Sequence, residues 1–291
     1  MVVCASLALL AGCSGEGESG AGHGAATSAA GSGPAGSGTT STGSDTADSG
    51  SRSGTDSGTG SGTGAPAGQL GAGPADPSFR ADPARLPETR SQALRLLRAV
   101  TAGPDSYGPG YERRTPYESD PADWPVLGAD CVWRQESLPA GVLGSLTRYS
   151  RLPAGAGKGE VRTAATVTVH RTAGRADWEM AETLEEALRC PDQQLRATER
   201  ISGLNSIGAG YGANGNTSAD DVLLEMGKYL NPDLGEKATS YVWDQVRLGP
   251  VTIAVVVEGG AGYAQGDLLA AQARSVAAME TKVRSELGAR K

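Results

Sequence analysis

The sequence predicts an α+β domain: an antiparallel β-sheet packed by helices, with one intradomain disulfide, preceded by a disordered Gly/Ser-rich linker. Three observations carry the prediction. Alternating or β-branched runs are joined by turn-length connections, amphipathic runs at helical spacing interrupt and close them, and the folded part holds one even pair of cysteines. Composition divides the 291 residues into an apolar leader at 1–12, a linker with its leading cysteine at 13–75 and the domain at 76–291. A domain of that length can bury a sizeable core.

In chain order the first domain element is a helix from Thr89 to Val100, with Leu94, Leu97 and Val100 at helical spacing and Gly103-Pro104 as its stop. Gly159 to Arg171 then alternates. Val161, Thr163, Ala165, Val167 and Val169 point one way, and Arg162, Thr166, Thr168 and His170 the other, which predicts a half-buried strand with His170 on its polar face. A helix capped by Asp177 is expected to run to Cys190, with Trp178, Ala181, Leu184, Ala187 and Leu188 on its packed side and Glu182, Glu185 and Glu186 facing water. Pro191 ends it.

Asp221 to Leu230 (DVLLEMGKYL) fits a short helix or a strand. Gly227 weakens the helix, and the neighbouring strands favour a third hairpin member. Ser240 to Leu248 and Val251 to Glu258 flank Gly249-Pro250 and read as a hairpin whose second strand, VTIAVVVE, is β-branched enough to be buried. The last helix, Gln265 to Leu287, places Leu269, Val276, Met279, Val283 and Leu287 on one stripe, with basic residues near its end to suit the dipole.

The N-terminus opens MVVCASLALLAGCSG. Val2 to Gly12 supplies about half of the roughly 20 apolar residues a membrane span needs, and suits the core of an export signal. No Lys or Arg precedes the run, so the true start is expected upstream. Leu10-Ala11-Gly12-Cys13 resembles the bacterial lipobox. The resemblance implies acylation of Cys13 and cleavage before it, so that the protein meets the membrane through this anchor on the extracytoplasmic face. Each buried methylene contributes about 0.8 kcal/mol, and two or more acyl chains make a stable anchor where one is marginal.

Ser14 to about Gly73 holds one Leu and no aromatic residue. Such a chain cannot bury enough apolar surface to offset the entropy of ordering it. Its root-mean-square reach of roughly 40–45 Å suits holding a domain off a membrane. SDTADSGSRSGTDSG lacks the spacing and closing glutamate of a calcium loop, so no metal is expected there.

With the leader set aside, Cys131 and Cys190 remain. In an exported protein they read as a disulfide, since the CxxC spacing of a metal or redox site is missing. The net charge of −7 and the absence of a basic block argue against nucleic acid as a partner. No catalytic residues, cofactor or metal are assigned: the domain has one histidine, no HExxH, P-loop or GxSxG occurs, and no carboxylate pair is singled out by spacing. Gly208-Ala-Gly-Tyr-Gly-Ala-Asn-Gly lacks the buried parallel strand of a nucleotide loop and reads as a plain loop, and Asn216-Thr217-Ser218 is a sequon by letter. Tyr107, Tyr111, Tyr117 and Trp124 cluster between glycines and prolines. Such residues can anchor a ligand or fasten the loop to the sheet.

Asp130-Cys131-Val132-Trp133, Thr166 to His170, Trp178 to Cys190 and the final strand–helix pair resemble actinobacterial lipoproteins and, more distantly, the extracellular sensor domains of mycobacterial Ser/Thr kinases. The resemblance implies helices packed on an antiparallel sheet. The function it suggests is a membrane-anchored surface lipoprotein with a ligand-binding or sensor-like domain, whose partner is a small molecule, a wall polymer or an envelope protein. The rivals are a secreted hydrolase working through carboxylates, marked by paired acids in a deep pocket, and an assembly partner of an envelope complex, marked by an exposed apolar patch.

Overall fold

The computed structural model describes residues 79–208 and 219–289. The leader, Cys13, the linker, the Gly-rich loop after Gly208 and the sequon lie outside them.

Eight strands form one sheet in which every neighbouring pair is antiparallel, in the order β1-β4-β5-β10-β9-β8-β7-β6. They are β1 Glu112–Glu118, β4 Val142–Leu152, β5 Val161–His170, β6 Gln193–Gln194, β7 Arg200–Gly208, β8 Asp221–Leu230, β9 Thr239–Leu248 and β10 Val251–Gly259. β2 (Asp123–Leu127) and β3 (Trp133–Ser137) make a separate hairpin. The helices are α1 Arg90–Val100, α2 Ala173–Arg189 and α3 Gln265–Leu287. Among the described residues no helix is long and apolar enough to cross a membrane.

The sheet is covered on both faces. α1 and α3 bury one face with Leu97, Val100, Met279 and Val283 against Val167, Ile253, Val255 and Val257. α2 and the β2–β3 hairpin cover the other, over Tyr149, Tyr229, Trp243 and Val256. Both ends of α1 follow from its sequence: Thr89 and Gln92 complete a capping box, and Leu97 and Val100 face the core as predicted. On α3 the stripe is also as predicted, except that Leu268 rather than the half-buried Leu269 turns inward. Asp221–Leu230 is a strand. Gly227 sits opposite a bulge in β7, where an added Cβ would come within 3.1 Å of the Ser202 carbonyl oxygen. Gly249 takes φ +57° to close the predicted β9–β10 hairpin.

Two expectations are corrected. β5 is not half-buried: it lies between β4 and β10, and every residue from Val161 to His170 except Arg162 is buried. Its polar face can be buried because it is satisfied side by side. Ser145 and Thr168 hydroxyls are 2.9 Å apart, and those of Thr147 and Thr166 are 2.8 Å apart.

The second correction concerns α2, whose cap is Thr172, five residues before the expected Asp177; its hydroxyl accepts from the Arg175 amide. Of the apolar side expected to pack, Ala187 turns inward, but the rest is the outer side. Trp178, Leu184 and Leu188 are 61%, 40% and 73% exposed, while Ala176, Glu179, Met180, Thr183 and Ala187 face the sheet. Ala176 and Ala187 allow close approach, and Glu179 finds partners on the sheet that large apolar residues would displace. Glu182 and Glu185 face water as expected, whereas Glu186 is half-buried and pushed up to about 7 by that burial.

Cys131 and Cys190 are joined, with Cα atoms 5.5 Å apart. The bond ties the β2–β3 turn to the C-terminus of α2. Around it Arg189 Nη1 donates to the Gly128 carbonyl, the Gln194 amide to the Cys131 carbonyl, and Trp133 Nε1 to Gln193 Oε1.

Candidate functional site

The site lies where β5 ends and α2 begins. The His170 amide donates to the Pro250 carbonyl, anchoring the strand end, and the first two turns of α2 then carry Glu179 back over the sheet. His170 Nε2 and Glu179 Oε2 are 2.5 Å apart, with both side chains 3% exposed. Thr252 Oγ1 donates to the same carboxylate oxygen at 2.8 Å, and Gln245 Nε2 to Oε1 at 3.0 Å. Histidine and glutamate share this hydrogen bond, and the sheet supplies two further donors. This satisfaction permits a buried ionisable pair. His170, expected on a wet face, is therefore the centre of a buried network, and no described residue bonds to its Nδ1.

Above the pair opens a cavity of about 180 Å³. Val142 and Trp124 wall it, while Trp178, Arg175 and Glu182 rim it. Trp178 Nε1 donates to Glu182 Oε1 at 2.6 Å, one turn along α2, which fixes the indole edge and leaves the ring face open. The Arg175 stem lies across Gly141, where an added Cβ would be 3.2 Å from its Cδ, and among the described residues its guanidinium has no partner.

The four aromatic residues singled out in the sequence do not form one surface. Tyr107 is fully buried under α1 and α3, and its ring stacks on half-buried Tyr111 at 5.3 Å. Tyr117 on β1 lies under the guanidinium groups of Arg113 and Arg148. Trp124 alone belongs to the opposite face and lines the cavity. Residues that sequence reasoning passed over, Glu179 and Arg175, complete the site. The available signal was an acid at position 179 in register with Ala176, Met180, Thr183 and Ala187, a helical stripe of mostly small residues.

The same sheet face carries other buried ionisable groups away from the cavity. Burial pushes Glu225 and Glu258 up to about 7, and Asp244 on the α3 side to the same value. These groups have a higher pKa folded than unfolded, so between about pH 4 and 7 the folded state binds more protons. Their destabilising charge appears as pH rises through 7, and stability falls with it. The melting temperature is expected to be at least about 5 °C lower at pH 8 than at pH 6. A flat or rising profile in differential scanning calorimetry would contradict this reading. Among the described residues no group of three or more His, Cys, Asp or Glu is placed to hold a metal ion.

The chain matches no family model, no curated protein and no solved structure.

Proposed function

We propose that the protein is a membrane-anchored surface lipoprotein, held through Cys13, whose extracytoplasmic domain binds a small ligand in the cavity beneath Trp178. The observation that carries the binding reading is an indole 61% exposed at the mouth of a cavity lined by the buried, hydrogen-bonded His170–Glu179 pair. Soluble domains seldom leave a tryptophan open beside a preformed polar recess without a use for it. The lipobox, the linker composition and the Cys131–Cys190 bond support export, since such bonds persist in oxidising compartments.

Binding is favoured over carboxylate hydrolysis because both oxygens of Glu179 already accept bonds from the fold. An acid committed in this way positions a neighbour rather than exchanging protons with water. The anchor is tested by Cys13→Ala, which is expected to move the protein from the membrane fraction to the soluble one. Unchanged fractionation removes that part of the proposal. The binding part is tested by screening small polar compounds against the full chain with the Trp178 indole resonance as readout, and a screen that never moves that resonance removes it.

One observation favours a second reading, an assembly partner in the envelope. Trp178, Leu184 and Leu188 line the outer side of α2 in one exposed stripe. Cross-linking from Leu188→Cys in intact cells distinguishes it, since a partner on that side would be captured reproducibly from the membrane fraction.

A further inference from the structure

We propose that the cavity beneath Trp178 takes a single pyranose ring, the apolar face of the sugar lying on the indole and its hydroxyls facing the charged rim. The inference rests on the binding reading above and narrows it to a ligand class.

The chemistry of the lining makes the selection. Four of the nine lining residues, His170, Arg175, Glu179 and Glu182, carry ionisable groups, so a wholly apolar ligand would strand them without water. A small inorganic anion would use Arg175 but leave the open indole face in water. A nucleobase gains most between two flat walls, yet Trp124, only 9% exposed, has too little open surface to serve as a second platform. A sugar ring suits the arrangement, because one of its faces is a patch of C–H groups while its rim both donates and accepts hydrogen bonds.

The groups are pre-set for that rim. Glu182 holds the indole by its N–H, so the ring does not need to be ordered on binding. Arg175 offers a guanidinium fork with no partner among the described residues, and the Nδ1 side of His170 is likewise unbonded. Glu179 is occupied by Gln245, Thr252 and His170 and serves to position the imidazole. A volume of about 180 Å³ is below the range of pockets for drug-sized ligands and suits one ring of a chain whose remainder lies outside. The fork accepts either a pair of hydroxyls or a ring carboxylate, so neutral and acidic sugars share the chemistry.

The test is calorimetric titration of the full chain with N-acetylglucosamine, glucuronate, adenosine and benzoate. One or both sugars are expected to bind, and Trp178→Ala to weaken that binding at least about tenfold, as removal of an aromatic anchor does. Leu188→Ala, exposed on the same helix beyond the cavity, should leave it unchanged. Arg175→Ala sorts the two sugar arms: a loss confined to glucuronate marks a carboxylate in the fork. Binding of adenosine or benzoate that depends on Trp178, with no sugar bound, overturns the ligand class and leaves the binding reading standing. Sugar binding indifferent to Trp178→Ala overturns the site, and silence from all four probes counts against the binding reading itself.

Discussion

Glu179→Ala is expected to cost about 3–5 kcal/mol of unfolding free energy, among the largest effects of any single side chain outside the apolar core. The truncation leaves the His170 ring, the Gln245 amide and the Thr252 hydroxyl facing an empty space in a buried layer, and each unmet group bears its own desolvation penalty. Urea titration monitored by circular dichroism measures the loss. Glu179→Gln should recover part of it, since an amide keeps the volume and one acceptor oxygen. Trp178→Ala, at a side chain that is mostly in water, should fall within about 0.5 kcal/mol of the parent. If Glu179→Ala were as mild as Trp178→Ala, the buried pair would not be the element that seats α2.

The second large effect belongs to the disulfide. Opening Cys131–Cys190 by Cys131→Ser with Cys190→Ser is expected to cost about 4 kcal/mol at 25 °C, from the chain entropy released by a loop of 59 residues. The damage should begin locally. Hydrogen exchange in β2, β3 and the last turn of α2 is expected to quicken before that of β5 and β10, because hairpin and helix end are joined mainly by this bond and its surrounding hydrogen bonds. Equal denaturation midpoints with and without a reductant would contradict both parts. Non-reducing peptide mapping checks the pairing itself.

Much of the architecture was legible where local pattern and tertiary environment agree. The β9–β10 hairpin announces itself through a β-branched strand beside Gly249-Pro250, and α3 through a long stripe ending in basic residues. The cysteine pair needed only counting. β1 and β7 were not legible: β1 is an edge strand whose ERRTPYE has charges and a proline, and β7, flanked on its outer side only by the two-residue β6, reads RISGLNSIG, which alternates poorly and bulges.

The site was harder to read for a different reason. Glu179 takes its stabilising partners from β5, β9 and β10, up to 73 residues away along the chain. No window around α2 contains Gln245 or Thr252, so the helix looked as though its tryptophan and leucines should turn inward. His170 misled in the same way. On a strand it alternates with valines and reads as wet, until a helix laid across it brings an acid within bonding distance. Trp124 was picked out as an aromatic of interest, but its three companions serve the other side of the sheet or its edge.

α2 is fastened at its two ends by different means: near its start by the Glu179 contacts, and at its finish by a sulfur–sulfur bond. The first fastening forms wherever the chain folds, but the second requires an oxidant. A copy retained in reducing surroundings would thus carry the Trp178 rim on a helix clamped at one end, while a copy that has crossed into oxidising surroundings carries it on a rigid beam. Under the proposed export, oxidation would then be a maturation step, coupling where the molecule is to how firmly its cavity is shaped.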